Sequence, residues 1–327
     1  MESRGLVIQD RDQATFDLRN IGYYRLCGYT YSWRVRKPGH REGIDTPAEE
    51  FVAGHTFEEA VALYSFDRRL RILLLDALER FEVACRVRVA YQIGKRGPLA
   101  YLSPEHLDPS SGKPAWRQTQ EGEQAAILSL TRLEAFIERN QELFQSSSEP
   151  FAQHVQRRYE GTPPIWIAVE LWDFGLLSHF YPLMQLEDRK FIADEFGCPT
   201  PKQMVSWIRT LNHLRNVCAH HSRLYRKSLV DKPSIRDLRR IPELAHTADL
   251  PDQRKSKVYP TLAIVLYLLK GIQPDSVWPR ALKRLLESFP AVYGSSLSDY
   301  GFPEGWYDIP LWQTIDAVPP KRLEPEG

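Results

Sequence analysis

Cysteine is scarce in this chain. The four residues, Cys27, Cys85, Cys198 and Cys218, are scattered with no CxxC pair and no regular spacing. That excludes the disulfide framework of a small secreted domain and suits buried thiols in a reducing compartment. Long apolar runs are missing too. The longest, Leu262 to Leu269, is about half of what a bilayer crossing requires. The first residues, MESRGLVIQDRDQA, carry early charges and no apolar stretch of a signal peptide. A cytoplasmic protein without a membrane segment is the expectation. Excess charge of one sign is also lacking. The formal net charge is +1, so any attraction for nucleic acid must be local. No glycine-rich nucleotide loop, GxSxG elbow or paired-carboxylate motif is present, which removes three common catalytic designs.

What is there describes a soluble globular chain. Hydrophobic residues make up 43% of the 327 positions and charged residues 26%, a balance that excludes disorder. Between Pro and Gly breaks the periodicity is helical, not alternating, so the expected fold class is all-α. A first helix spans Gln13 to Tyr24, and the aromatic segment YYRLCGYTYSWRV after it reads as a short strand or extended arm. An exposed loop follows from Lys37 to Pro47. Thr56 and Glu59 form a capping box at the head of a long helical pattern that Gly97-Pro98 stops. Asp67 could cap a second helix within it, at Phe66. A polar helix is expected from Glu121 to Gln145. Pro163-Pro164 starts the nearly all-apolar IWIAVELWDFGLLSHFY helix. A buried helix, YPTLAIVLYLLKGI, and an amphipathic one, WPRALKRLLESF, precede an aromatic tail. The organisation reads as an N-terminal extension (1–50), a helical core (51–275), and a C-terminal helix and aromatic coil (276–327) in the same domain.

Residues 204 to 227 separate into two faces on an ideal helix. Met204, Trp207, Ile208, Leu211, Leu214, Cys218 and Tyr225 form an apolar band. Arg209, Asn212, His213, Asn216, His220, Arg223 and Lys227 lie opposite, all hydrogen-bond donors and none acidic. Such a face suits an anionic partner. From Arg209 to Arg240 there are nine Lys or Arg against Asp231 and Asp237, a local excess that fits a phosphate-binding patch as well as a merely solvated face. Arg215 falls at the edge of the apolar band, about 140° from His220. A half-buried guanidinium needs a carboxylate. Glu170, in the middle of an apolar helix, is the first candidate and Asp173 the second. That pair is either purely structural or a device that aims Arg215 at a phosphate. Asn216, one turn before His220, is placed to orient its imidazole, a group that moves protons at neutral pH. His213 and His220 lie about 10.5 Å apart along a helix, too far to share a metal ion, and Cys218 points the other way. No metal and no cofactor is expected.

The segment RNVCAHHSRLY, with Arg215-Asn216-x-x-x-His220, resembles the signature of the abortive-infection (Abi, D/F-like) family of the HEPN superfamily. The blocks IGYYRLCGY at 21–29, FVAGHTFEEAVALYSFDRRLRILLLDALERFEVACRVRVAY at 51–91, PPIWIAVELWDFGLLSHFY at 163–181 and the terminal GFPEGWYDIPLW resemble that family in the same order. One departure stands out: Tyr225 is followed by Arg226 where the family pattern has asparagine.

The resemblance implies an α-helical HEPN-like bundle, a homodimer with two Arg-x4-His motifs facing a shared cleft, and metal-independent RNA cleavage. In that chemistry the ribose 2′-hydroxyl attacks the adjacent phosphate and leaves 2′,3′-cyclic phosphate and 5′-hydroxyl ends. Arg215, Asn216 and His220 would be catalytic: His220 as general acid or base, Arg215 stabilising phosphorane charge, Asn216 positioning. Glu170, His221 and Arg223 would support them, and Arg209, Asn212, Arg226 and Lys227 would hold RNA. A role in bacterial defence against phage follows, with a structured RNA or protein antitoxin as partner. The alternatives are a HEPN module that binds RNA without cutting it and a scaffold in which Arg215 is purely structural. A hydrolase built on Cys218 is disfavoured because that thiol lies on the apolar band.

Overall fold

The computed structural model describes residues 1–38, 45–118, 124–158, 162–235 and 237–315. Asp10 accepts from Gln13 N and caps α1 (Arg11–Ile21). Gly22, at φ 91, turns the chain into α2 (Tyr23–Thr30). The expected strand or arm is thus helical over most of its length, because Leu26, Tyr29 and Thr30 bury one helical face. Extended chain begins only at β1 (Arg34–Pro38), which pairs antiparallel with β2 (Asp45–Phe51). The loop expected between Lys37 and Pro47 therefore has ordered strand at both ends, and its centre lies outside the described residues.

Thr56 and Glu59 close the capping box: Glu59 N donates to Thr56 Oγ1 at 3.1 Å and Thr56 N to Glu59 Oε2 at 3.0 Å. They open α3 (Phe57–Gly94), one helix of 38 residues, about 57 Å long. No second helix starts at Asp67, because that carboxylate is buried with Arg71 one turn on as its ion-pair partner. α3 is the axis of the fold. Its buried stripe, including Leu63, Phe66, Leu70, Leu74, Leu78, Phe81, Cys85 and Val89, recurs at helical spacing.

A second hairpin pairs β3 (Pro114–Gln118) with β4 (Gln124–Thr131). Of the polar helix expected from Glu121, the first three positions lie outside the described residues, 124–131 are β4, and α4 (Arg132–Gln145) is helical, with Thr131 and Glu134 forming another capping box. α5 (Pro150–Arg158) follows. The single apolar helix expected after Pro163-Pro164 is two: α6 (Ile165–Leu171) and α7 (Phe174–Phe180). Trp172 is extended between them, and Asp173 Oδ1 caps α7 by accepting from Leu176 N at 2.7 Å. Next come α8 (Leu186–Glu195), α9 (Pro201–Ala219), α10 (Asp252–Lys255), α11 (Val258–Ile272), α12 (Trp278–Glu287) and α13 (Pro310–Gln313).

The fold is all-α with two small hairpins at its margins. α2, α6, α8, α9, α11 and α12 all pack on α3. The main apolar core runs from Leu6 through Ile315, drawing in Tyr29 and Trp33 from the N-terminal segment and Tyr300, Phe302 and Trp312 from the tail, with a small second cluster at Phe144, Ala152 and Val155. No helix among the described residues is long and apolar enough to cross a membrane.

One half-buried histidine carries a pH dependence. Burial pulls the imidazole of His246 below its ordinary value of 6.5, and His246 Nε2 lies 2.8 Å from the Tyr259 hydroxyl. The folded state therefore favours the neutral ring, while the unfolded chain takes up a proton there on acidification. Stability falls as pH drops from about 6.5. Urea midpoints measured at about pH 7.5 and about pH 5.5 should show that fall, and His246→Gln should shrink it. A fall of unchanged size in the variant would clear His246 of the role.

Candidate functional site

α9 carries the Arg-Asn-x-x-x-His segment. Thr200 caps it through Gln203 N at 3.1 Å, and Pro201 occupies the first turn. Met204, Trp207, Ile208, Leu211, Leu214 and Cys218 are buried as their spacing predicts. The helix stops at Ala219, so the expected face running on to Lys227 is corrected at that point. His221 N donates to Cys218 O (3.0 Å) and Ser222 N to Val217 O (2.9 Å), with His221 at φ 55. This is a Schellman closure with histidine in the left-handed position usually held by glycine. A left-handed non-glycine costs on the order of 1 kcal/mol and persists only where surrounding contacts fix it.

Those contacts converge on Asp67. Its carboxylate, wholly buried, accepts from Leu224 N (3.2 Å to Oδ2) and Tyr225 N (3.0 Å to Oδ1). It also accepts from the Tyr29 hydroxyl (2.8 Å) and the Tyr300 hydroxyl (3.0 Å), and Arg71 pairs with it. One side chain of α3 thus ties the turn after α9 to α2 and to the C-terminal segment. The sequence contains Asp67 but gives no sign of this role.

His220 is exposed at the end of α9. The hydrogen bond that joins it to Asn216 runs from His220 N to Asn216 O at 2.9 Å, through the backbone and not through the amide side chain. Arg215 is half-buried, and its carboxylate is Glu82 of α3, 3.9 Å from Nε. Glu82 also pairs with Arg86. Burial pushes the Glu82 carboxyl above its usual range, against the pull of Arg86 and Arg215. The expected partner, Glu170, is exposed on α6 beside an apolar groove lined by Val87, Tyr91 and Trp166. Asp173 caps α7 and lies 3.6 Å from Arg139. Helical periodicity assigned Arg215 to the right face, but α9 meets the Glu82 turn of α3 there.

The donor face is also less cationic than its sequence. Asp231 returns from the following loop to pair with Arg209 and to approach His213 Nδ1 at 3.8 Å. Burial lowers the His213 pKa against the pull of Asp231. Asn212 Oδ1 and His213 Nε2 are buried without a hydrogen-bond partner among the described residues. Arg226, expected to hold RNA, is committed to the tail: Nε donates to Asp299 Oδ1 at 2.6 Å and Nη2 to Gly294 O at 2.7 Å. Its φ of 53 makes it the second left-handed residue of the turn. Lys227 is half-buried, its backbone N bonded to Leu224 O.

Two other cations flank His220. Arg223 lays its guanidinium over Gly28 of α2, where a Cβ would come within 3.2 Å of Nη1. Arg25, also on α2, donates from Nη1 to His221 O at 2.9 Å, a favourable place for a cation beside a helix C-terminus. Arg25 and Gly28 were open to sequence reading only as part of the IGYYRLCGY block, since nothing local links that block to residue 221. Among the described residues, no three His, Cys, Asp or Glu side chains are grouped as metal ligands.

The all-α bundle thus ends α9 in an exposed histidine, with arginines from two segments beside that turn. The family model of the Abi-like proteins matches residues 17–226, from α1 through the pinned turn, and the chain belongs to that family. Membership points to a role in abortive infection. No curated protein and no solved structure matches the chain significantly.

Proposed function

We propose that this protein is a metal-independent endoribonuclease of the HEPN type, serving abortive infection in bacteria exposed to phage. One observation carries the reading: His220 is an exposed imidazole at the end of α9, in a turn whose Leu224 and Tyr225 amides are pinned by Asp67, with Asn216 one turn back and Arg223 and Arg25 beside the turn. Water-exposed imidazoles on mobile loops are common. An imidazole on a turn whose backbone is anchored by a buried carboxylate, with arginines nearby, suits phosphodiester transesterification.

In this reading a base takes the proton of a ribose 2′-hydroxyl, and the 2′-oxygen attacks the adjacent phosphorus. The 5′-oxygen leaves with a proton, giving a 2′,3′-cyclic phosphate and a 5′-hydroxyl. His220 serves as base or acid, and Arg215, held at its Nε edge by Glu82, stabilises the phosphorane charge. Asn216 contacts a phosphate oxygen, and Arg223 holds flanking backbone. A homodimer would bring a second His220 to the same cleft and supply both proton-transfer roles. A cytoplasmic ribonuclease must be silenced in the uninfected cell, so a structured RNA or protein antitoxin belongs to the proposal.

The test is incubation of purified protein with single-stranded and transfer RNA in EDTA, with fragment ends mapped. Cleavage with 2′,3′-cyclic ends supports the proposal. RNA binding without cleavage, by wild type and His220→Ala alike, would replace it with a non-catalytic RNA-binding module.

A further inference from the structure

Beside the His220 turn lies a surface that, Arg223 apart, the cleavage chemistry does not use. α2 buries Leu26, Tyr29 and Thr30 and presents its other side to solvent. On that side Tyr24 is 88% exposed and Tyr31, just past the helix end, 48%. Tyr24, Gly28 and Tyr31 are spaced by four and three residues and share one face. Gly28 supplies the gap across which the Arg223 guanidinium lies. The guanidinium carbons of Arg34 and Arg36 each stand 5.7 Å from the Tyr31 ring centre. Arg25, on the neighbouring flank, touches His221 O. None of these four arginines is in an ion pair among the described residues, and the nearby acid Glu49 is taken by Arg4 at 3.3 Å.

We infer that this face of α2 is a stacking platform for single-stranded RNA, on which bases flanking the scissile phosphate lie against Tyr24 and Tyr31 while Arg223 holds the backbone between them. The inference rests on the RNA-directed reading of the site and adds the substrate class. Solvent-facing tyrosine rings with arginines between them are the elements from which proteins build tracks for unpaired strands. Seven residues separate Tyr24 from Tyr31, about 10.5 Å of rise at helical spacing, so each ring takes its own base. A duplex cannot present its bases this way, because they remain stacked on one another. A second copy laid on the Tyr31 end of this face, away from the His220 cleft, fits poorly: a two-fold contact there would set Arg34 and Arg36 against the same pair, and like charges facing each other oppose association.

The test uses His220→Ala protein, which retains this face and leaves bound RNA uncut. Fluorescence anisotropy would follow a short labelled RNA, single-stranded and annealed to its complement. Tyr24→Ala and Tyr31→Ala should each weaken single-strand binding about ten-fold, with duplex binding changed by less than about two-fold. Tyr24→Phe and Tyr31→Phe should bind as the parent does, and Arg36→Gln should lower the salt slope by about one. Circular dichroism checks that these surface variants stay folded. Unchanged single-strand affinity in both alanine variants, or an equal loss for duplex, would overturn the inference. So would loss of self-association in Tyr24→Ala, by sedimentation, without loss of RNA affinity. Tyrosine-dependent binding by a protein that never cleaves would keep the platform and remove the nuclease. Cleavage with tyrosine-independent binding would do the reverse.

Discussion

His220→Ala should lower the rate of RNA cleavage by about 10²–10⁴-fold, the usual worth of a positioned acid or base, while leaving the urea midpoint essentially unmoved. The two readouts separate because of where His220 sits. Its backbone closes α9 through Asn216 O at 2.9 Å, and alanine keeps that bond. Its side chain is exposed, so truncation creates no cavity and strands no partner, and such substitutions stay within about 0.5 kcal/mol. A purely structural histidine predicts the opposite pattern. If cleavage survives at more than about a tenth of the wild-type rate, well above what loss of an acid or base leaves, the proton-transfer role belongs elsewhere. Arg223 and Arg25 would then be the groups left to explain the site.

The largest stability effect is expected at Asp67. Asp67→Ala should cost about 3–5 kcal/mol, as does removing one member of a buried ion pair. Arg71 is 4% exposed and would be left as an uncompensated cation. The amides of Leu224 and Tyr225 and the hydroxyls of Tyr29 and Tyr300 would lose their acceptor at the same time. The loss should appear as a lower urea midpoint with an unchanged slope. Asp67→Asn keeps one accepting oxygen but forfeits the charge opposite Arg71 and turns the other oxygen into a donor facing donors, so it should also destabilise, by less than alanine where the kept oxygen serves the turn. Because Asp67 fixes the turn bearing His220, both variants should also cleave RNA more slowly at temperatures where they remain folded. A cost below about 1 kcal/mol for alanine would mean that the hub is not closed in solution.

Much of the helical architecture was legible. Thr56 and Glu59 announced the start of α3, and the spacing of Met204, Trp207, Leu211 and Cys218 announced the buried side of α9. Each depends on residues within a few positions of one another. The breaks were harder. IWIAVELWDFGLLSHFY reads as one helix because Trp172 and Asp173 fit an apolar pattern, yet Asp173 caps a new helix. The end of α9 was hidden for a similar reason. No glycine or proline marks it, and His221 adopts its left-handed conformation in a turn held by a carboxylate far away in the chain.

The sequence by itself determined the helical class, the cap of α3, the apolar band of α9, the Arg-Asn-x-x-x-His segment and the family. These follow from short-range spacing and from motifs. Only the tertiary structure decided which charges remain available. Arg209 is matched by Asp231 and Arg226 by Asp299, while Arg215 meets Glu82 in place of Glu170 at its Nε edge alone, 3.9 Å away. Arg25 and Arg223, from segments distant in sequence, are brought to the His220 turn. Helical periodicity fixes the direction in which a side chain leaves its helix. What it meets there is set by how the helices pack, and burial with a partner, not residue type, decides whether a charge is free to bind.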